Sequence, residues 1–174
     1  MNFNLKEAIE VLKRTPQTLD YFLSGLSDSW LQADEGEGTW NAAEVIDHLI
    51  ECEKTNFIPR IEAILQEGGP HRFPPFDRFA HITNKTDEPF HIRVLEFKNL
   101  RAANLEKLQS LVDSEDHFER TGIHPEFGEV KLRELLSTWV VHDLTHISQI
   151  TRIMAKHYEQ DIGHWRQYIR FFNN

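Results

Sequence analysis

Apolar residues recur along this chain at helical steps in four long stretches, with polar, glycine-rich or proline-rich text between them. The first runs from about Leu5 to Leu26 and places Leu5, Ile9, Leu12, Leu19, Phe22, Leu23 and Leu26 mostly on one side. Thr15-Pro16 falls inside it, so the helix either restarts at a Thr cap or kinks. The second begins after Gly36 and Gly38, with Thr39 or Asn41 as its cap, and repeats through Ala42, Val45, Ile46, Leu49 and Cys52. Pro59 should kink or interrupt its far half, and Gly68-Gly69 should end it. The third spans about Glu88 to Val112, with Phe90, Val94, Phe97, Leu105, Leu108 and Val112 on one side. The fourth spans about Val130 to His157, and a short apolar tail, IGHWRQYIRFF, closes the chain.

No alternating run bounded by turn dipeptides signals a strand. Four amphipathic helices, each burying one stripe, predict an all-α four-helix bundle with a short C-terminal helical tail, as one domain over residues 1–174. Residues 68–86, GGPHRFPPFDRFAHITNKT, carry neither period. A structureless stretch of that length in a compact domain is uncommon and often functional.

Composition narrows the classes. Lys plus Arg is 19 and Asp plus Glu is 28, a formal charge of −9. That balance argues against a protein that grips nucleic-acid phosphates and against a polybasic membrane binder. No run approaches the ~20 apolar residues of a membrane helix. Lys6, Glu7 and Glu10 interrupt the start where a signal peptide would be apolar. The single cysteine, Cys52, allows no intrachain disulfide. The expectation is a cytoplasmic protein acting on a small-molecule substrate, with a homodimer as one possible assembly.

The ten histidines change the picture most. His142 and His146, in VVHDLTHISQI, are four residues apart and project ~40° from each other on one helix. Both fall on the flank of the apolar stripe made by Leu132, Leu136, Trp139, Ile147, Ile150 and Met154. Buried imidazoles need partners, and a metal ion is one. A third ligand would come from another helix, and His48 sits on a matching flank of the second. Three imidazoles leave coordination positions open, which is the catalytic arrangement. The alternative is a set of hydrogen-bonded core histidines.

At these residues the chain resembles the DinB superfamily, the DinB/YfiT-like metalloenzymes. The resemblance is carried by RTPQTL, LSGLSDSWL, GEGTWNAAEVIDHLIECE, FPPFDRF, GIHPEFGEVKLRELLSTWVVHDLTHISQI and IGHWRQYI. It implies a bundle in up-down-down-up order and a divalent metal held by His48, His142 and His146. Zinc or nickel is the first expectation, though three imidazoles also suit copper or iron. The metal would act as a Lewis acid. It would serve either hydrolysis or the transfer of a low-molecular-weight thiol to an electrophile, and the resemblance tilts toward transfer. A non-catalytic metal- or ligand-binding bundle acting in stress response is the alternative from another class.

Several further residues bear on the site. Arg101 falls mid-stripe on the third helix, Asp143 between the two histidines of the fourth, and Glu53 on the inner side of the second. A buried charge must be paired, so one interior network centred on Arg101 is expected, with anchoring of an anionic substrate as the alternative. Cys52, one turn after His48, reads as a small buried hydrophobe or a metal-proximal thiol. Glu44 and Glu51 flank His48 and could act as general bases. Trp40, Trp139, Phe73, Phe76 and Phe79 read as packing, with the loop aromatics also placed to exclude water from a metal mouth. The loop histidines His71, His81, His117 and His124 are expected to be exposed, and His157 to favour a helix end.

Overall fold

The structure is a computed structural model that describes residues 3–172. Four helical columns form the bundle: α1 (Leu5–Leu23), the pair α3 (Ala42–Thr55) and α4 (Phe57–Leu65), α6 (Phe90–Leu111) and α7 (Leu132–His157). Two short helices, α2 (Asp28–Leu31) and α5 (Ala80–Thr83), pack beside α3.

Local chemistry sets the ends. The Asn4 side chain accepts from the backbone N–H groups of Lys6 and Glu7 and starts α1. Of the two candidate caps for α3, Asn41 fills the role. Its side chain accepts from Glu44 N, and the Glu44 carboxylate accepts from Asn41 N, a reciprocal pair. Thr39 instead steadies the preceding loop by accepting from Glu35 N. Helix α1 stops at Leu23, short of Leu26, because Gly25 turns the chain at φ 86°.

The two prolines act differently. Pro59 lies just inside α4, after a break at Asn56 that separates α3 from α4. Pro16 sits within α1 without breaking it. A proline there removes the N–H that would bond the carbonyl of Leu12. That carbonyl is taken instead by the Arg101 guanidinium, which donates to it at 2.7 Å.

Cross-helix pairs give the directions. Asn4 shares a recess with Val112, and Asp20 pairs with Lys98, so α6 runs antiparallel to α1. Asp47 meets Arg93, Glu53 meets Arg101 and Glu62 meets Lys107, so α6 runs parallel to α3–α4. His48 lies beside His146 and Phe57 stacks on Trp139, so α7 opposes α3–α4. The order is up-down-down-up.

The expectation of no strands needs correction. Residues Thr121–His124 (β1) and Gly128–Lys131 (β2) form an antiparallel hairpin between α6 and α7, so α7 begins at Leu132. The strands are four residues each and their burial does not alternate, so no period-two signal exists to read. The 68–86 segment is tied to this hairpin. Phe73 N donates to Ile123 O at 2.9 Å, and Ile123 N donates to His71 O at 2.8 Å. The C-terminal tail forms two exposed 3-10 turns, Gly163–Tyr168 and Arg170–Phe172. No helix among the described residues is long and apolar enough to cross a membrane.

The apolar interior falls into two clusters. One gathers Leu12, Phe57, Ile61, Phe73, Leu105, Leu108, Leu136 and Trp139 toward the hairpin. The other gathers Leu19, Leu23, Val45, Ile46, Leu49, Val94, Phe97 and Ile150 toward the α2 end. Between them, at mid-bundle, lies a layer of buried polar side chains: Arg101, Glu53 and Asp143, with His48 and His146.

Candidate metal centre

Helix α3 contributes His48 to this layer, and α7 contributes His142 and His146 one turn apart. The three Nε2 atoms converge. His142 Nε2 lies 3.2 Å from His48 Nε2 and 3.2 Å from His146 Nε2. On one ion with bonds of about 2.0–2.1 Å, ligand nitrogens at tetrahedral angles lie roughly 3.3 Å apart. Both separations are therefore close to what one ion requires, and the three residues together form a group able to hold a metal. His48 and His146 are buried and His142 is half-buried.

Electrostatics keeps these rings neutral. Burial, followed by the neighbouring His146, His142 and His81, pushes His48 down to about 2. Burial, with His146 and Arg101, pushes His142 down to about 3. Burial also lowers His146, against the opposing pull of Gln149 and Asp143. A neutral imidazole offers one lone pair, and an Nε2 that carries no proton can give it to a cation. His146 is oriented for that task. Its Nδ1–H donates to Gln149 Oε1 at 2.8 Å, which leaves Nε2 unprotonated and facing the cluster. Nδ1 of His48 and of His142 has no partner of good geometry, although the Arg78 carbonyl lies near the His48 ring.

The Cys52 side chain is buried as a small hydrophobe would be. Its Sγ nevertheless lies 3.5 Å from His48 Nε2 and 3.8 Å from His142 Nε2. It does not join the group of donor atoms that lie within 4.8 Å of one another, so it borders the cluster on one side. Burial, with Glu53 next, raises the thiol well above its usual range, so it stays protonated.

The other wall comes from the segment that sequence periodicity could not read. A side chain at Gly122 would meet Phe73 at 2.4 Å and Ile64 at 2.9 Å, so glycine there lets Phe73 seat against the hairpin. Phe76 then lies 6.3 Å from the His48 ring, and α5 brings His81 to 5.1 Å from it. His81 is buried, which corrects the expectation of an exposed loop histidine. Tertiary packing, not local sequence, decides its burial. It sits edge-on to Trp40 at 4.4 Å, and neither ring nitrogen has a partner of good geometry. Trp40 packs 4.8 Å from His48 and stacks 6.2 Å from His146, so it borders the cluster as well as packing. Phe79 stays half-exposed at the rim.

Glu44 and Glu51 are committed elsewhere. Glu44 caps α3 and pairs with Lys85, while Glu51 accepts from Thr55 Oγ1 at 3.0 Å. His71 bonds the Glu67 carbonyl, His124 Nδ1 accepts from Glu126 N and Phe127 N in the hairpin turn, and His117 sits 3.6 Å from Asp113. His157 packs on Trp30 and Tyr158.

Arg101 gathers its expected network. It donates from Nε and Nη2 to Glu53 Oε1 at 3.0 and 2.7 Å. Nη1 and Nη2 donate to Asp143 Oδ2 and Oδ1 at 2.6 and 3.0 Å. With Leu12 O, all five donors are used. Asn104 donates to Glu53 Oε2 at 2.9 Å. Burial alone would lower Arg101, but Asp143 and Glu53 more than reverse it and hold the guanidinium charged. One guanidinium against two carboxylates leaves a formal −1 beside the histidines, which favours a cation there.

Comparison with known proteins places the fold. The model of the DinB superfamily matches residues 12–150. The "Putative metal-dependent hydrolase YfiT" of Bacillus subtilis is 28% identical over 152 residues, 85% of this chain and 83% of that protein. The "Putative metal-dependent hydrolase GK0616" of Geobacillus kaustophilus is 28% identical over 156 residues, 87% of this chain and 85% of that protein. The solved structure of YfiT, described as having an unusual four-helix bundle topology, superposes with a TM-score of 0.73. It covers 91% of this chain and 87% of its own at 23% identity, a likeness of fold. With its family model spanning most of the sequence and its bundle shared, the chain belongs to the DinB superfamily.

Proposed function

We propose that the protein is a metal-dependent enzyme whose ion is held by His48, His142 and His146, and that it hydrolyses a small-molecule substrate. The observation that carries this reading is the convergence of three histidines in a buried layer, with His142 Nε2 3.2 Å from Nε2 of each of the other two. A divalent ion there would supply Lewis acidity and draw electron density from a substrate oxygen or sulfur. The related proteins named as metal-dependent hydrolases support the reaction class.

The chain's own residues perform the rest. Gln149 fixes the His146 tautomer. Trp40, Phe76 and Phe79 shield the cluster from bulk water. Burial favours the neutral form of His81, against the pull of Glu44 and the Arg78 carbonyl, and this ring beside His48 is the proton acceptor of the scheme. Transfer of a low-molecular-weight thiol is the second chemistry compatible with the family resemblance, and it would use the same three histidines.

The test is a panel of simple esters and amides, run beside thiol-plus-electrophile pairs, on zinc- and nickel-loaded protein. Hydrolysis that disappears in His142→Ala is expected. Consumption of thiol and electrophile together, without hydrolysis, replaces the reaction but keeps the site. Turnover unaffected by His142→Ala overturns both.

A further inference from the structure

Arg60 on α4 lacks what the protein's other half-buried and buried arginines have. Arg93, Arg101 and Arg133 meet Asp47, Glu53 with Asp143, and Glu119 respectively, and Arg120 donates to the Gln66 carbonyl. Arg60 is half-buried, and its Nε is shut from solvent with no hydrogen-bond partner. Its guanidinium lies over the rings of Phe73 and Phe76 at 5.4 and 5.7 Å. Burial lowers its pKa, and no carboxylate opposes that effect. In a chain of formal charge −9, carboxylates are abundant, yet none is placed here.

The position matters as much as the missing partner. Phe76 packs toward Arg60 on one side and toward the His48 ring, at 6.3 Å, on the other. Cys52, which borders the histidine cluster, is within electrostatic reach of Arg60, and so is His124 of the hairpin. The guanidinium thus stands one aromatic ring away from His48. The aromatic faces hold it in place while leaving its two Nη groups open and uncommitted. Those donors match a planar oxyanion, which they can meet with two parallel hydrogen bonds.

We propose that Arg60 is the anchor for a carboxylate group on the small molecule that this site receives, and so determines its substrate class. This rests on the reading that the three histidines hold the reactive centre. The carboxylate end would be bound at Arg60, with the aromatic floor of Phe73 and Phe76 beneath it and the reacting end directed to the histidines. Arg60 positions; it is not placed in the chemical step.

The test separates anchoring from metal binding. Succinate is titrated into metal-free protein while the Arg60 Nε–H signal is followed by NMR, with the neutral succinamide as control. Zinc affinity is measured in parallel. Succinate should shift the Arg60 signal and succinamide should not. Arg60→Met should weaken succinate binding roughly ten- to a hundredfold, with partial recovery in Arg60→Lys and zinc affinity unchanged in both. Succinate binding equal in Arg60→Met and wild type overturns the proposal, and so does the absence of any succinate effect on the Arg60 signal. Failure of wild-type protein to bind zinc overturns the metal reading instead, and the metal-free titration still decides on Arg60.

Discussion

Two polar groups share the middle layer of this bundle, and they are built in opposite ways. Around Arg101 every donor has an acceptor, and the freed carbonyl above Pro16 takes the last one. Around His142 the nearest polar neighbours are two other nitrogens and a thiol, none of which completes it. A buried network with all its bonds made is a structural device. The histidine cluster differs, because Nδ1 of two of its three rings has no partner of good geometry and the Nε2 atoms meet only one another and the thiol. Sequence alone placed both in the interior, with a closed network expected around Arg101 and either a metal or hydrogen-bonded rings at the histidines.

The comparison predicts unequal responses to mutation. Arg101→Met should be the costliest single change, about 3–5 kcal/mol, because it strands Glu53 and Asp143 without their cation. Urea denaturation reads it directly. An unchanged midpoint would mean that the network is not closed as described.

On the histidine side the loss should appear in ligand affinity and not in the fold. Gln149→Leu removes the acceptor that orients His146 and should weaken zinc binding about 10- to 100-fold. Helical circular dichroism should stay unchanged, since Gln149 is at the surface of its helix and only half-buried. Isothermal titration of the variant against wild type measures this. Equal affinities would show that the 2.8 Å bond does not govern the ring.

The smallest effect is expected over the first pH unit below 6.5, on metal-free protein. His48 at about 2 and His142 at about 3 lie below the 6.5 of an unconstrained histidine. Below 6.5 the unfolded chain takes up protons that the native protein refuses, so native stability falls as pH falls. The fall continues toward the native values. Each of the two rings should contribute about 1 kcal/mol over the first pH unit below 6.5. Replacing both by Phe should flatten the dependence. A slope identical to wild type in the double variant would place the titration elsewhere.

How much of this was legible in the sequence follows from what each feature depends on. The four columns were, because Leu12, Leu19, Val45, Leu49, Phe97, Leu108, Leu136 and Ile150 repeat at helical steps and all became core. Arg101 was, because a charge centred in an apolar stripe has few alternatives to a partner. The hairpin was not: its strands are too short to show a period and are tied to residues about fifty positions away through Phe73 and His71. His81 was not, because a loop histidine becomes buried only when the loop folds back, and that depends on Phe73 seating against Gly122. Cys52 was half legible. Its burial followed from its stripe, while its 3.5 Å approach to His48 depended on how α3 meets α7.

The central claim, that the two polar groups differ in kind, is tested most directly by measuring zinc binding and folding together. Wild-type protein, His142→Ala and Arg101→Met would be titrated with zinc, and each followed by thermal unfolding with and without the ion. The account predicts one bound ion in the wild type and none held tightly in His142→Ala, with that variant's metal-free melting temperature near that of wild type. It also predicts a large drop in melting temperature for Arg101→Met. Tight one-to-one zinc binding by His142→Ala, or a metal-free wild type with no helical structure at room temperature, would contradict it.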